Sequence, residues 1–151
     1  MLVNEGQDES VESRQIKTSR KNTGKDAVLD QIRGLRSHFE EFWSAGLCPE
    51  RVVVEAQQYY KGGPNAGDLL NLALVAGGAI AECVRWWPTT TVMVPLPAEW
   101  KGQIPKAIHH ARIMGRLGLS AEYSIHEFDA IGMALWARDQ IIVASPRSPS
   151  R

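Results

Sequence analysis

Two short runs rich in β-branched residues flank a long alanine-rich segment, and this order constrains the fold more than any other feature of the chain. The first run, RVVVEAQ from residue 51, contains three consecutive valines, which is typical of a strand buried on both faces. The second run, TTTVMV, is ended by Pro95. Between them, Asn65 can cap a helix that reaches about Val84. A strand, a helix and a second strand form a right-handed crossover with parallel strands, so the sequence predicts an α/β fold.

Three further segments have the periodicity of helices. The first covers about residues 26–45, where large apolar residues recur three or four positions apart. The second covers residues 105–117 and begins with a proline, which suits the first position of a helix. The third covers about residues 124–140, and Ser124 and Glu127 have the spacing of a capping box at its start.

Composition indicates a soluble, cytoplasmic protein with one domain over residues 1–145 and a polar, disordered tail over residues 146–151. Two cysteines are too few for a disulfide framework and suit a reducing compartment. The beginning of the chain lacks the basic and apolar regions of a secretory signal. The most apolar stretch, residues 69–81, is shorter than the roughly 20 residues that a bilayer requires, so we expect no membrane segment. The formal net charge is zero, so any affinity for nucleic acid must come from a local patch.

Glu55 directly follows the valine run and is the first candidate functional residue. In open α/β sheets, ligands bind beyond the carboxyl ends of the strands, which is where this residue is expected to lie. A carboxylate at that position needs water, a partner or a metal ion, because an unpaired buried charge is costly. The alternative is that Glu55 begins a solvated loop.

His126 and Asp129 form the second candidate pair. Residues three apart on a helix project from one face, so the two side chains can share a divalent ion, or the histidine can position a water. The alternative is a capped helix on which both residues are merely exposed. For an isolated pair that alternative is favoured, because the pattern is common by chance.

Residues 101–116 form a basic segment without any acidic residue, and a tryptophan precedes it. Such a run suits a phosphate backbone with an aromatic surface nearby. On composition alone, a solvated helix face that balances acids elsewhere is the favoured alternative. The candidate DNA-binding residues are Trp100, Lys101, Lys106 and Arg112, together with Tyr60 and Lys61, which follow Glu55 closely.

Taken together, four motifs resemble the RuvC-type Holliday-junction resolvases of the RNase H-like superfamily, including their phage-encoded relatives. They are VVVEAQQYYKG, GDLLNLALVAGGAIA, VPLPAEWKGQIPKAIHHARI and HEFDAIGMALW, and the resemblance covers about residues 14–137. It implies an RNase H-like fold with a mixed sheet flanked by helices. It also implies a metal-dependent endonuclease that acts as a homodimer on four-way DNA junctions. In that family the matching residues bind Mg²⁺ or Mn²⁺, which assigns Glu55, His126 and Asp129 to the catalytic metal site. Trp100, Lys101 and the following helix would face the DNA.

The chain departs from this family at its first strand. That strand carries an aspartate that bridges two metal ions, and Asp8 in a polar stretch is a poor substitute for it, so the first strand is expected to be missing. Without the bridging carboxylate, Glu55 and Asp129 supply two negative charges against the four positive charges of two divalent ions. A second hypothesis is therefore a catalytically inactive protein that binds branched DNA. A third is a helical α/β protein in which residues 101–116 are only a solvated face.

Overall fold

The computed structural model describes residues 2–3, 10–11, 16, 23–58, 65–118 and 123–140. The described elements, in chain order, are β1 (Leu2–Val3), β2 (Ser10–Val11), α1 (Gly24–Ser44), β3 (Arg51–Val53), α2 (Ala66–Trp86), β4 (Thr91–Met93), α3 (Pro97–Lys101), α4 (Lys106–Leu117) and α5 (Ile125–Asp139). β1 and β2 form an antiparallel pair of two residues each. β3 and β4 pair in parallel across α2, as the strand–helix–strand pattern predicts.

The predicted RNase H-like fold, with a mixed sheet flanked by helices, is wrong for the described part of the chain. Helices account for 68% of the structure, and the sheet at its centre consists of two short parallel strands. The run RVVVEAQ contributes three paired residues to this sheet, and the run TTTVMV contributes three more. Strands of this length present too little surface to cover long helices, so the helices bury their apolar faces largely against one another.

The small residues of α2 illustrate this difference. They lead to the expectation that α2 lies against a sheet, whereas α2 packs along α1. The close approach is at Gly78, where a β-carbon would lie 2.8 Å from Cγ1 of Ile32. Cys83 and Trp87 are buried at the end of this interface, and the edge of Phe39 meets the Trp87 ring at 5.1 Å between centroids.

α4 and α5 pack against each other as a second pair of helices, after α1 and α2. Their common core consists of Ile113, Phe128, Ile131 and Leu135, with Tyr123 packed at its border. The start of α5 agrees with the sequence prediction. The Ser124 hydroxyl accepts the backbone N–H of Glu127, and the Glu127 carboxylate accepts the N–H of Ser124.

One face of α2 remains exposed, with Leu70, Leu74 and Val84 each more than half accessible to solvent. α2 is also long and apolar enough to be a candidate membrane span by length and composition. Helices of soluble proteins meet the same two criteria. The expectation of a cytoplasmic protein without a membrane segment therefore stays a prediction, as do the single domain and the homodimer. The tail at residues 146–151 lies outside the described residues.

Candidate functional site

The carboxylate of Glu55 lies two residues past the end of β3 and is held by a buried tryptophan. The indole N–H of Trp100 donates a hydrogen bond to Oε1 of Glu55 at 3.0 Å. Trp100 belongs to the short helix α3, and only 6% of its surface is exposed. Glu99 fixes the start of α3, because its carboxylate accepts the backbone N–H of Leu96 at 2.6 Å. Glu55 therefore does not begin a freely solvated loop.

Asp129 lies in the first half of α5 and faces α4. Its Oδ2 is 3.2 Å from Nζ of Lys106, and its Oδ1 is 3.5 Å from Nε2 of His110. The His110 ring in turn stacks on Phe128 at 4.9 Å between centroids. The Asp129 side chain is 20% exposed, so both partners act on a carboxylate that is largely shielded from water.

His109 connects the surroundings of the two acids. Its ring meets the Trp100 ring edge-on at 5.2 Å between centroids. Its Nε2 lies 2.6 Å from where a β-carbon on Gly132 would be, one helical turn beyond Asp129. A chain of contacts thus runs from Glu55 through Trp100 and His109 to α5 beside Asp129. These contacts connect the carboxyl end of β3 with the first half of α5. We call the surface built by Trp100 and His109 the wall.

Burial lowers the pKa of His109, which favours the neutral imidazole. The carboxylate of Asp129 opposes this effect. His110, Lys101 and Arg112 reinforce it, because a protonated His109 would add a further positive charge beside them. The Nε2 atom of His109 is buried and has no hydrogen-bond partner within the described ranges. His109 therefore acts as a neutral, packed ring at the centre of the wall.

Three cationic side chains from the basic segment surround this wall. Lys106 pairs with Asp129, and Nζ of Lys101 lies 4.9 Å above the Trp100 ring. Arg112 is exposed on α4 and contributes to the field at His109. Arg116 differs from them, because its guanidinium makes two hydrogen bonds of 2.8 and 3.0 Å to Asp139 near the end of α5.

The remaining predicted site residues are distributed as follows. His126 is exposed at the start of α5, and the imidazole within 4 Å of Asp129 is that of His110 instead. Trp100 lies in the core rather than on the surface, so its ring offers no exposed platform for a base. Tyr60 and Lys61 lie outside the described residues.

The two histidines of α4, His109 and His110, were not among the predicted site residues. A usable signal was present: Lys106, His109, His110 and Ile113 share one helical face by their spacing, and Ile113 is buried against α5. The apolar residue marks the face of α4 that packs. The two histidines on that face are therefore placed against the helix that carries Asp129.

The donor chemistry suits a hard divalent cation only in part. Mg²⁺ is commonly held by one or two carboxylates together with water and substrate phosphates, and Glu55 and Asp129 can provide such oxygens. Among the described residues, no group of three or more His, Cys, Asp or Glu side chains is poised to hold a metal ion. A cation bound at Asp129 would have to share the carboxylate with Lys106 and His110.

The chain matches no model of a known protein family, and no curated protein matches it.

Proposed function

We propose that the protein is a metal-dependent endonuclease that acts on branched DNA such as a four-way junction. The observation that carries this proposal is the wall built by Trp100 and His109, which links the surroundings of Glu55 and Asp129. Two acids 74 positions apart in the chain are thereby connected through two packed rings, and Nζ of Lys106 lies 3.2 Å from Asp129. The order of the four motifs, which resembles the resolvases, supports the same activity and makes a homodimer part of the proposal.

The chain's own residues would divide the work as follows. Glu55 and Asp129 would hold Mg²⁺ or Mn²⁺, which activates water and stabilises charge on the phosphate when bound. Lys101, Lys106 and Arg112 would bind phosphates of the DNA backbone, since each places a cation beside the wall. The exposed His126 would orient a water at the start of α5.

Hydrogen bonding supports the role assigned to Glu55. The indole N–H of Trp100 donates a hydrogen bond to one carboxylate oxygen of Glu55 and so fixes its position. Because Trp100 is buried and packed against His109, the carboxylate is held by a rigid support. A fixed carboxylate loses less conformational entropy when it binds a cation or a substrate.

Cleavage of a fluorescently labelled four-way junction tests the proposal. With Mg²⁺ or Mn²⁺ the parent protein should cut the junction, and removal of the metal with a chelator should abolish cutting. Glu55→Gln and Asp129→Asn should each lower the rate on the order of 100-fold or more, because each removes a negative oxygen ligand. Glu40→Gln, on an exposed position of α1, is the matched control and should leave the rate unchanged. Equal cleavage by Asp129→Asn and the parent would refute the assigned role of Asp129.

A second candidate function is binding of branched DNA without cleavage. It is favoured by the ion pair between Lys106 and Asp129, which already neutralises the acid. In this case the protein would bind the junction with an affinity that falls with salt, and no metal concentration would produce cleavage. Lys101→Ala should weaken this binding and reduce the salt slope by about one.

A further inference from the structure

The two carboxylate oxygens of Asp129 have different partners. Nζ of Lys106 lies 3.2 Å from Oδ2, and Nε2 of His110 lies 3.5 Å from Oδ1. The side chain of His110 is 14% exposed, and its ring stacks on Phe128. The side chain of Lys106 is 49% exposed, so its ion pair with Asp129 is partly screened by water. Lys106 is therefore the partner that can leave Asp129 without disturbing the packing of α4 on α5.

The ammonium group of Lys106 competes with a metal ion for Asp129. A divalent cation bound to Oδ2 and an ammonium group 3.2 Å from the same oxygen would repel each other. A metal ion can bind this oxygen only by displacing Lys106 or against that repulsion. The ion pair thus lowers the affinity of Asp129 for metal ions in the free protein.

The position of Lys106 in its helix explains why this side chain pairs with an anion. Lys106 is the first residue of α4, and the first turn of that helix contains no acidic residue. The positive end of the helix dipole disfavours a cation at this position, so a nearby anion stabilises Lys106. Asp129 supplies that anion from α5. A phosphate of the DNA backbone carries the same charge and can replace the carboxylate as the partner of Lys106.

We propose that Lys106 takes the place of a metal ion at Asp129 in the free protein, and that a phosphate of bound DNA draws it away. This inference rests on the proposed function and adds an order of events, in which the junction binds first and the metal ion second. His110 stays beside Oδ1 in both states, because its ring is packed on Phe128. By linkage, a bound metal ion strengthens junction binding by the same factor as the junction strengthens metal binding.

Binding of Mn²⁺ to the full chain without DNA, followed by electron paramagnetic resonance of the free ion, tests the first step. Lys106→Gln should bind Mn²⁺ about three- to tenfold more tightly than the parent. The loss of a partly exposed ion pair accounts for up to about a factor of five, and the variant also removes the repulsion between the two cations. Lys106→Arg keeps the charge and should bind as the parent does. Lys25→Gln, at an exposed position of α1, removes the same charge elsewhere and should also leave the affinity unchanged.

Asp129→Asn connects this gain in affinity to the carboxylate. In the double variant with Lys106→Gln, the gain should disappear. Equal affinity of Lys106→Gln and the parent, or a gain that persists in the double variant, would overturn the inference. If the parent still cleaves the junction with Mn²⁺ in that case, the proposed endonuclease remains. If neither the parent nor Lys106→Gln binds Mn²⁺ at millimolar concentration, both the inference and the metal-dependent activity are wrong.

The second step is tested with a four-way junction in the presence of a chelator, so that no cleavage can occur. The carboxyl carbon of Asp129 is followed by NMR, and its signal is identified by its loss in Asp129→Asn. Saturating junction should shift the signal of the parent toward its position in free Lys106→Gln, because both changes remove the ammonium group from Oδ2. The signal of Lys106→Gln should move less. A parent signal that junction binding leaves unmoved would refute the withdrawal of Lys106, and a parent that binds no junction would refute the proposed function as well.

Discussion

Gly132 of α5 packs against the rings of Trp100 and His109, and its replacement by alanine probes the wall directly. A β-carbon at this position would lie 2.6 Å from Nε2 of His109, 3.0 Å from Cδ1 of Ile113 and 3.0 Å from Cζ3 of Trp100. Two of these atoms belong to rigid rings, and the Trp100 ring is also tethered to Glu55. We therefore expect the rings to move apart or the helix to shift when the methyl group is added.

The expected magnitude follows from two opposing effects. Glycine to alanine in a helix interior raises the free energy of unfolding by about 1 kcal/mol, because glycine loses more conformational freedom on folding. Overpacking a filled site lowers it by about 1–3 kcal/mol. Gly77→Ala is the matched control, since Gly77 lies in the middle of α2 and a β-carbon there would meet nothing within 4 Å. The difference between the two variants cancels the helix-propensity effect and should equal the overpacking cost.

Urea denaturation followed by tryptophan fluorescence measures both free energies of unfolding. Gly77→Ala should be more stable than the parent, and Gly132→Ala should be less stable than Gly77→Ala by about 1–3 kcal/mol. If Gly132→Ala gains as much stability as Gly77→Ala, the contact between α5 and the two rings is wrong. The chain of contacts between Glu55 and Asp129 would then lose its support.

Three further predictions concern local interactions. In urea denaturation, Trp87→Phe should lower the free energy of unfolding by about 2 kcal/mol more than Trp86→Phe. The reason is that the Trp87 indole N–H has a carbonyl partner, whereas the Trp86 N–H has none within the described residues. Equal losses of stability in the two variants would contradict this prediction. In thermal denaturation, Ser124→Ala should lower the free energy of unfolding by about 1 kcal/mol, because the Ser124 side chain caps α5. Thr23→Ala should change it little, since the Thr23 side chain makes no capping hydrogen bond. A larger loss of stability for Thr23→Ala than for Ser124→Ala would refute these two assignments. Hydrogen bonds from Arg116 lower the pKa of Asp139 below its ordinary value of 3.8. The stabilisation by this pair is therefore present above that pH and is lost as the pH falls through the folded-state pKa. Asp139→Asn should thus cost under about 0.5 kcal/mol at pH 7 for this exposed pair and progressively less as the pH falls below 3.8, and a cost independent of pH would be inconsistent with the pair.

The starts of α2 and α5 were predictable because their signals are local, whereas the cap expected from Thr23 at the start of α1 was wrong. Asn65 accepts the backbone N–H of Asp68, and Ser124 caps α5. Each signal involves residues within four positions of one another, so the printed sequence contains the whole interaction. The parallel pairing of β3 with β4 was also predictable, since it follows from the order of three neighbouring segments.

The extent of the sheet was not predictable in the same way. Three valines in a row indicate a buried strand, but burial can come from helices as well as from neighbouring strands. Here α5 packs on β3, and only β4 pairs with it in the described part of the chain. Strand pairing joins segments that are distant in the sequence. The apolar run therefore predicts a strand but does not predict which other strands pair with it.

At the candidate site, the sequence by itself determined which residues can carry charge or bind cations: Glu55 after a strand, Asp129 on a helix, and a basic segment between them. The tertiary structure decided their partners. In the folded chain, Asp129 lies beside Lys106 and His110 rather than beside His126. Trp100 is buried, and its indole N–H donates a hydrogen bond to Glu55. The physical reason is the separation along the chain between the residues that interact. Caps and helical faces depend on neighbours a few residues away, whereas hydrogen bonds and ion pairs between elements depend on how those elements pack around a shared core.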